Sequence, residues 1–222
     1  RDGLVTGVQT CALPIWFIIF GGYQKIKVLK QLTVDIKAKG LIFDLDGTIA
    51  DTMPVHFSVY RDILKDYGVD FTWEIFGTLA GIPAVGTFER INQLYGLNIQ
   101  AEEMGHFKEA EYEKRMHLIR PLDPVVEIIH TWHGRLPMAV GTGGYSRLAW
   151  KTLEIIGLSH LFSILVSAED VTQHKPHPET FLQCALLMGV EPSFCQVFED
   201  GVLGMQAAEA AGMMAVNITE YL

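Results

Sequence analysis

Hydrophobic and polar positions follow two different patterns along this chain. The first secure element is Leu41-Ile42-Phe43, an apolar run closed by Asp44, Asp46 and Gly47. It reads as a short buried strand that ends in a turn. From Thr52 to Arg120 apolar residues recur at three- and four-residue spacing, the mark of helices buried along one face. Thr52 as cap and Pro54 in the first turn predict a helix carrying Phe57, Tyr60, Ile63, Leu64 and Tyr67, stopped at Gly68. A short helix over 73–79 is broken by Gly81-Ile82-Pro83, and a third carries Val85, Phe88, Ile91 and Tyr95 up to Gly96. A longer helix over 101–118 is rich in Glu and Lys, which predicts a solvated face with i,i+4 pairs such as Glu111 with Arg115. Beyond Pro121 and Pro124 the pattern changes. Helices over 125–132, 146–156, 178–188 and 201–211 alternate with apolar strands over 136–140, 164–166, 195–198 and 213–216.

Short apolar strands alternating with helices predict an α/β fold, a Rossmann-like parallel sheet with right-handed crossovers. An all-helical block is inserted just after its first strand. The expected division is a catalytic core over 40–51 and 121–222, a helical cap over 52–120, and an artefactual or uncertain N-terminal extension over 1–39. Within that extension Val5–Ile15 resembles the translation of a DNA-sequencing adapter. The apolar run from Ala12 to Phe20 is too short to span a bilayer and contains Pro14. No methionine precedes Met53, so a missing start or a non-methionine codon is expected upstream of the first strand.

With 222 residues, 49% of them hydrophobic, the chain can bury a sizeable core. A formal charge of -9 argues against a general nucleic-acid surface. Cys11, Cys184 and Cys195 lack disulfide or metal-ligand spacing, which points to a reducing, cytoplasmic setting. Cys184 and Cys195 lie in apolar contexts and are expected in the core. No membrane partner is expected, and a monomer or weak oligomer is.

In such a sheet, functional groups sit on the loops after the strands' C-terminal ends. The first loop offers Asp44 and Asp46, which strand alternation sends to one side. Taken alone these two are compatible with a plain acidic turn as well as with a cation site. The second loop offers Gly141-Thr142-Gly143-Gly144, the third His174-Lys175-Pro176-His177, and the fourth Glu199-Asp200-Gly201. Each loop alone has a bland reading, a helix cap for Thr142 or a solvated lysine for Lys175. Together they suit a phosphoryl group and a hard cation such as Mg²⁺. Asp44, a backbone carbonyl near Asp46, and Asp200 can hold the metal, with Glu199 as a further ligand or a support behind them. Lys175 adds fixed positive charge, and Thr142 with the Gly143 amide can donate to phosphoryl oxygens.

These four loops resemble the four motifs of the haloacid dehalogenase-like hydrolase superfamily: Phe43-Asp44-Leu45-Asp46-Gly47-Thr48, Gly141-Thr142-Gly143, His174-Lys175-Pro176 and Phe198-Glu199-Asp200-Gly201. The helical insertion is similar to that superfamily's C1 cap. The match is nearer to the β-phosphoglucomutase-like branch, and Trp132-His133-Gly134-Arg135 extends it towards bacterial phosphatases of fructose 1-phosphate and 6-phosphogluconate. The resemblance covers 40–217. It implies that Asp44 is a nucleophile forming an aspartyl-phosphate and that Asp46 is the acid and base. Thr142 and Lys175 would stabilise the phosphoryl group, and Mg²⁺ would sit on Asp44, Asp46, Glu199 and Asp200. It also implies that His56 and Gly81, with Thr142, Gly143 and Lys175, contact a small phosphorylated sugar. Phosphoglucomutases of the branch hold a second phosphate with a cap arginine where this chain has Ala84, so hydrolysis is favoured over mutase chemistry unless Arg90 or Lys108 substitutes. A receiver-like phospho-aspartate signalling module is the alternative of a different class; Asp46 and the inserted cap argue against it.

Overall fold

The computed structural model describes residues 31–222. The adapter-like stretch Val5–Ile15, the apolar run from Ala12 and Cys11 all lie outside the described residues. Five strands form one parallel sheet in the order β3-β2-β1-β4-β5, with β1 Gly40–Phe43, β2 Met138–Gly141, β3 Leu165–Val166, β4 Cys195–Glu199 and β5 Met214–Asn217. Each lies within two residues of its expected position. In β2, Pro137 lacks an N–H, and the strand begins one residue later.

β1, β2 and β4 are buried at every position, as a parallel sheet covered on both faces requires. Alternation divides them between two cores. Leu41, Phe43, Val140 and Phe198 face one side, where Phe43 stacks on Phe198 at 4.9 Å. Ile42, Ala139 and Val197 face the other with Phe181 and Ala207. These last two belong to α7 Glu179–Met188 and α8 Val202–Ala210; α5 Asp123–Trp132 and α6 Ser146–Ile155 complete the core helices. Cys184 and Cys195 are buried here, and burial pushes their thiols up to about 12 and about 11; they are packing residues.

Chain order runs from β1 outward to β3, then returns across β1 to β4. The direction of winding reverses between β1 and β4, and the C-terminal ends of those two strands carry Asp44 and Asp200 side by side.

Between β1 and β2 lie α1 Met53–Lys65, α2 Trp73–Leu79, α3 Ala84–Tyr95 and α4 Ala101–Arg115. Their shared interior is aromatic: Tyr60 meets Phe88 at 5.4 Å and Phe57 meets Phe76 at 5.7 Å. Tyr67, read as part of this interior, is exposed, because α1 ends before it. Thr52 stands at the N-cap of α1 without a side-chain cap bond. The helical block joins the sheet through two antiparallel connectors, Asp51 N donating to Arg120 O at 2.8 Å and Leu122 N to Ile49 O at 2.9 Å. Among the described residues, no helix is long and apolar enough to cross a membrane.

Three sequence expectations change here. Arg115 does not pair with Glu111; it reaches across to Asp62 at 2.8 Å and Ser58 at 3.0 Å on α1, and Lys114 takes Glu111. Lys108, read as part of a solvated face, is 3% exposed. The uncertain extension narrows: Leu32 is buried in the core, and Gln196 holds the backbone of Thr33 and Asp35. Leu32, Thr33 and Asp35 are therefore tied to the core, while Ile36 beside them is exposed.

Candidate active site

The four strand-end loops converge on one cavity of about 100 Å³, closed over by α1, α3, α4 and the turn at Gly81. Its floor is Asp44, 5% exposed. Lys175 Nζ donates to Asp44 Oδ1 at 2.7 Å and to Glu199 Oε1 at 2.8 Å, and lies over the Phe181 ring at 4.6 Å. Glu199 Oε2 accepts from the Gly201 N–H at 2.5 Å. Asp200 is braced from the first loop, where Thr48 Oγ1 donates to its Oδ1 at 3.0 Å. Gly47 permits that approach: its φ is +89°, and a Cβ there would lie 2.8 Å from Asp200 Cγ.

Burial and neighbouring charge set the protonation of this floor. Burial raises Asp44 well above the usual carboxylate range; Lys175 opposes this, while Glu199, Asp200 and Asp46 add to it. Burial and then Glu199 raise Asp200 to about 7. Burial alone would lower Lys175, but Asp44 and Glu199 outweigh it and hold the ammonium above its ordinary value. Oxygens of Asp44, Glu199 and Asp200 lie within 4.8 Å of one another. Three convergent carboxylates sharing one ammonium lack positive charge, and an all-oxygen donor set of this size fits a small hard cation such as Mg²⁺.

Asp46 stands apart from that cluster. Its Oδ2 receives Thr142 Oγ1 at 3.4 Å and its Oδ1 faces His56 Nε2 at 3.5 Å. His56 lies flat on Tyr112 at 3.9 Å, and its Nδ1 is 2.8 Å from Lys108 Nζ. An ammonium can only donate, so Nδ1 accepts and Nε2 carries the hydrogen that points at Asp46. Burial, then the Lys108 charge, lower His56 and keep it neutral. Burial pushes Asp46 up, yet donation from His56 and the Lys108 charge bring it below its ordinary value. On Asp46, hydrogen-bond donation thus outweighs burial.

Thr142 is buried and also accepts from the Gly144 N–H at 2.9 Å. Gly143 touches the cap, since a Cβ there would lie 3.0 Å from the Gly81 carbonyl oxygen. His56, Gly81, Thr142, Gly143 and Lys175 therefore line one cavity with the carboxylates. His174 and His177 do not line it, and His177 Nδ1 receives the Glu179 N–H instead. Ala84 lines the wall; Arg90 does not, and donates to Gln93 on the surface. Sequence reasoning left Thr48, Glu109 and Gly204 without roles, and placed Lys108 only as a substitute cation. Glycine inside a helix at 204 was the one available signal; the others depend on how the cap meets the core.

The profile of the haloacid dehalogenase-like hydrolase family matches residues 41–218. Fructose-1-phosphate phosphatase YqaB of Escherichia coli K12 is 43% identical over 180 residues, covering 81% of this chain and 95% of that protein. Beta-phosphoglucomutase of Bacillus subtilis is 30% identical, covering 81% and 83%. The crystal structure of beta-phosphoglucomutase from Clostridium difficile superposes with a TM-score of 0.71 at 25% identity, covering 81% and 84%.

Proposed function

The chain belongs to the haloacid dehalogenase-like hydrolase family, and from that premise we propose that it is a Mg²⁺-dependent phosphatase of small sugar phosphates. Substrates are of the fructose 1-phosphate or 6-phosphogluconate type, and the reaction runs through an aspartyl-phosphate on Asp44. The observation that carries this reading is the division of labour between two carboxylates. Asp44 is buried and clamped by Lys175, while Asp46 is held separately by Thr142 and His56.

An Asp44 carboxylate oxygen forms the bond to phosphorus as the bond to the sugar oxygen breaks, and Asp46 delivers a proton to that oxygen. Asp46 then takes a proton from water, which attacks phosphorus and releases phosphate and free Asp44. Asp46 sits low in the empty site, so the incoming phosphate charge must lift it, as like charge does. Lys175, the Thr142 hydroxyl and the Gly143 N–H hold the phosphoryl oxygens. Asp44, the Asp46 carbonyl, Glu199 and Asp200 would hold Mg²⁺, which would supply positive charge favouring an ionised Asp44 and offsetting that of the phosphate. The cap, residues 52–120, opens and closes over the core, 40–51 and 121–222, on the paired connectors. Closure brings Gly81 onto Gly143 and His56 onto Asp46.

Mutase chemistry would need a further cation for a second phosphate. Among the described residues the cavity wall holds two ammonium groups, both engaged: Lys175 by Asp44 and Glu199, Lys108 by His56 and Glu109. With Ala84 on the wall, water is the favoured acceptor. The test is a phosphate-release screen over hexose 1- and 6-phosphates, sugar acids and polyol phosphates, in Mg²⁺ and in EDTA. Mg²⁺-dependent release from sugar phosphates supports the reading. Conversion of β-glucose 1-phosphate to glucose 6-phosphate without phosphate release would replace it with the mutase.

A further inference from the structure

We infer that Glu109 sets substrate selectivity, favouring sugar phosphates with a neutral, hydroxyl-bearing tail over those carrying a second anion. This rests on the proposed function and narrows it: of the two substrate types named there, fructose 1-phosphate is the preferred one and 6-phosphogluconate the slower. Glu109 lines the same cavity as Asp44 and Asp46, but on the cap wall. From Asp46 the groups run outward as Asp46, His56, Lys108, Glu109. Asp46 faces the oxygen that leaves phosphorus, and Glu109, on the cap wall of that cavity, borders the space left for the sugar.

Lys108 balances its charge through one oxygen, and the other oxygen is left to accept. Oε1 receives Lys108 Nζ at 3.0 Å, an ammonium already shared with His56 Nδ1 at 2.8 Å. The nearby guanidinium of Arg147 is taken by Glu113 through both nitrogens, at 2.8 Å each. Among the described residues nothing donates to Glu109 Oε2. Thr87 of the same wall spends its hydroxyl hydrogen internally, on the carbonyls of Ile82 and Pro83. A carboxylate only accepts. Its free oxygen rewards hydroxyl donors and opposes a carboxylate or second phosphate brought against it, which is selection by like charge.

The experiment compares kcat/KM of the wild type and Glu109→Gln for fructose 1-phosphate and a hexitol phosphate against 6-phosphogluconate and fructose 1,6-bisphosphate. Glutamine keeps the size and the acceptor for Lys108, and circular dichroism melting verifies its fold. The wild type should prefer the neutral-tailed pair by about tenfold or more. Glu109→Gln should shrink that preference by about tenfold, with KM falling for the anionic pair. Equal losses on all four substrates would mean that Glu109 merely holds Lys108, and would overturn the inference. Calorimetric binding of fructose 1-phosphate and 6-phosphogluconate to Asp44→Asn, with and without Glu109→Gln, reads the same ratio without turnover. Absent hydrolysis with a normal binding ratio defeats the proposed function alone; hydrolysis with equal affinities defeats the Glu109 assignment alone.

Discussion

Gly204→Ala tests whether the position of Glu199 matters as much as its charge. Gly204 lies in α8, directly behind the carboxylate floor. In an exposed helix the change would stabilise by about 1 kcal/mol. Here the added Cβ would lie 2.7 Å from Glu199 Cγ, and nearer still to its carboxyl group, whereas ordinary contact begins at 3.4 Å. Glu199 is 3% exposed and pinned by Lys175 and the Gly201 N–H, so it cannot swing aside without losing both. Breaking one side of a buried ion pair costs about 3–5 kcal/mol. The net expectation is a loss of about 2–4 kcal/mol, a fall in Tm of about 4–16 °C for a chain of this size. Phosphatase turnover should drop at least about tenfold, because Lys175 loses its second anchor. Gly77→Ala is the matched control: it is also inside a helix, and nothing lies within 4 Å of its Cβ position, so it should raise Tm by the helix term alone. A Gly204→Ala protein with unchanged or raised Tm and full activity would show that Glu199 has an equally good second position, and the reasoning would fail.

Other expectations follow from the same geometry. Asp44→Asn should leave no measurable turnover and no acid-stable phosphoenzyme by mass spectrometry; substantial hydrolysis by that variant would remove the nucleophile assignment. Asp46→Asn should lower kcat by about 10²–10⁴, slowing both formation and decay of the phosphoenzyme in rapid-quench measurements; normal kinetics would remove its proton-transfer role. Asp200 is raised to about 7 without metal and Asp44 is also raised, so below that pH protons compete with Mg²⁺, and the apparent Kd for Mg²⁺ should rise by at least about tenfold per pH unit. A Kd independent of pH between 5 and 7, by calorimetry, would contradict this. Glu113 of the cap is clasped by Arg147 and Lys151 of the core. Glu113→Gln should raise KM by about two- to fivefold and flatten its dependence on salt, since exposed ion pairs are weak and screened.

Periodicity alone was sufficient for the parallel sheet, the helical insertion and the four loops, because burying short apolar strands on both faces leaves few other arrangements. Asp44, Asp46, Thr142, Lys175, Glu199 and Asp200 were legible as neighbours because each ends or follows a strand, and strand ends share one edge of the sheet. Sequence spacing could not foresee the cap's contribution. Lys108 looked like one of many helix-surface lysines until α4 laid it on Tyr60, Tyr112 and His56. Arg115 found its partner across a helix interface rather than one turn away. Gly204 shows no purpose until Glu199, five residues earlier, folds back over it. Local pattern determined which elements form and which loops carry the chemistry. Contacts between elements far apart in sequence decided the charge balance of Asp46, the setting of Glu109 and the space allowed to Glu199, because those depend on distances that only packing creates.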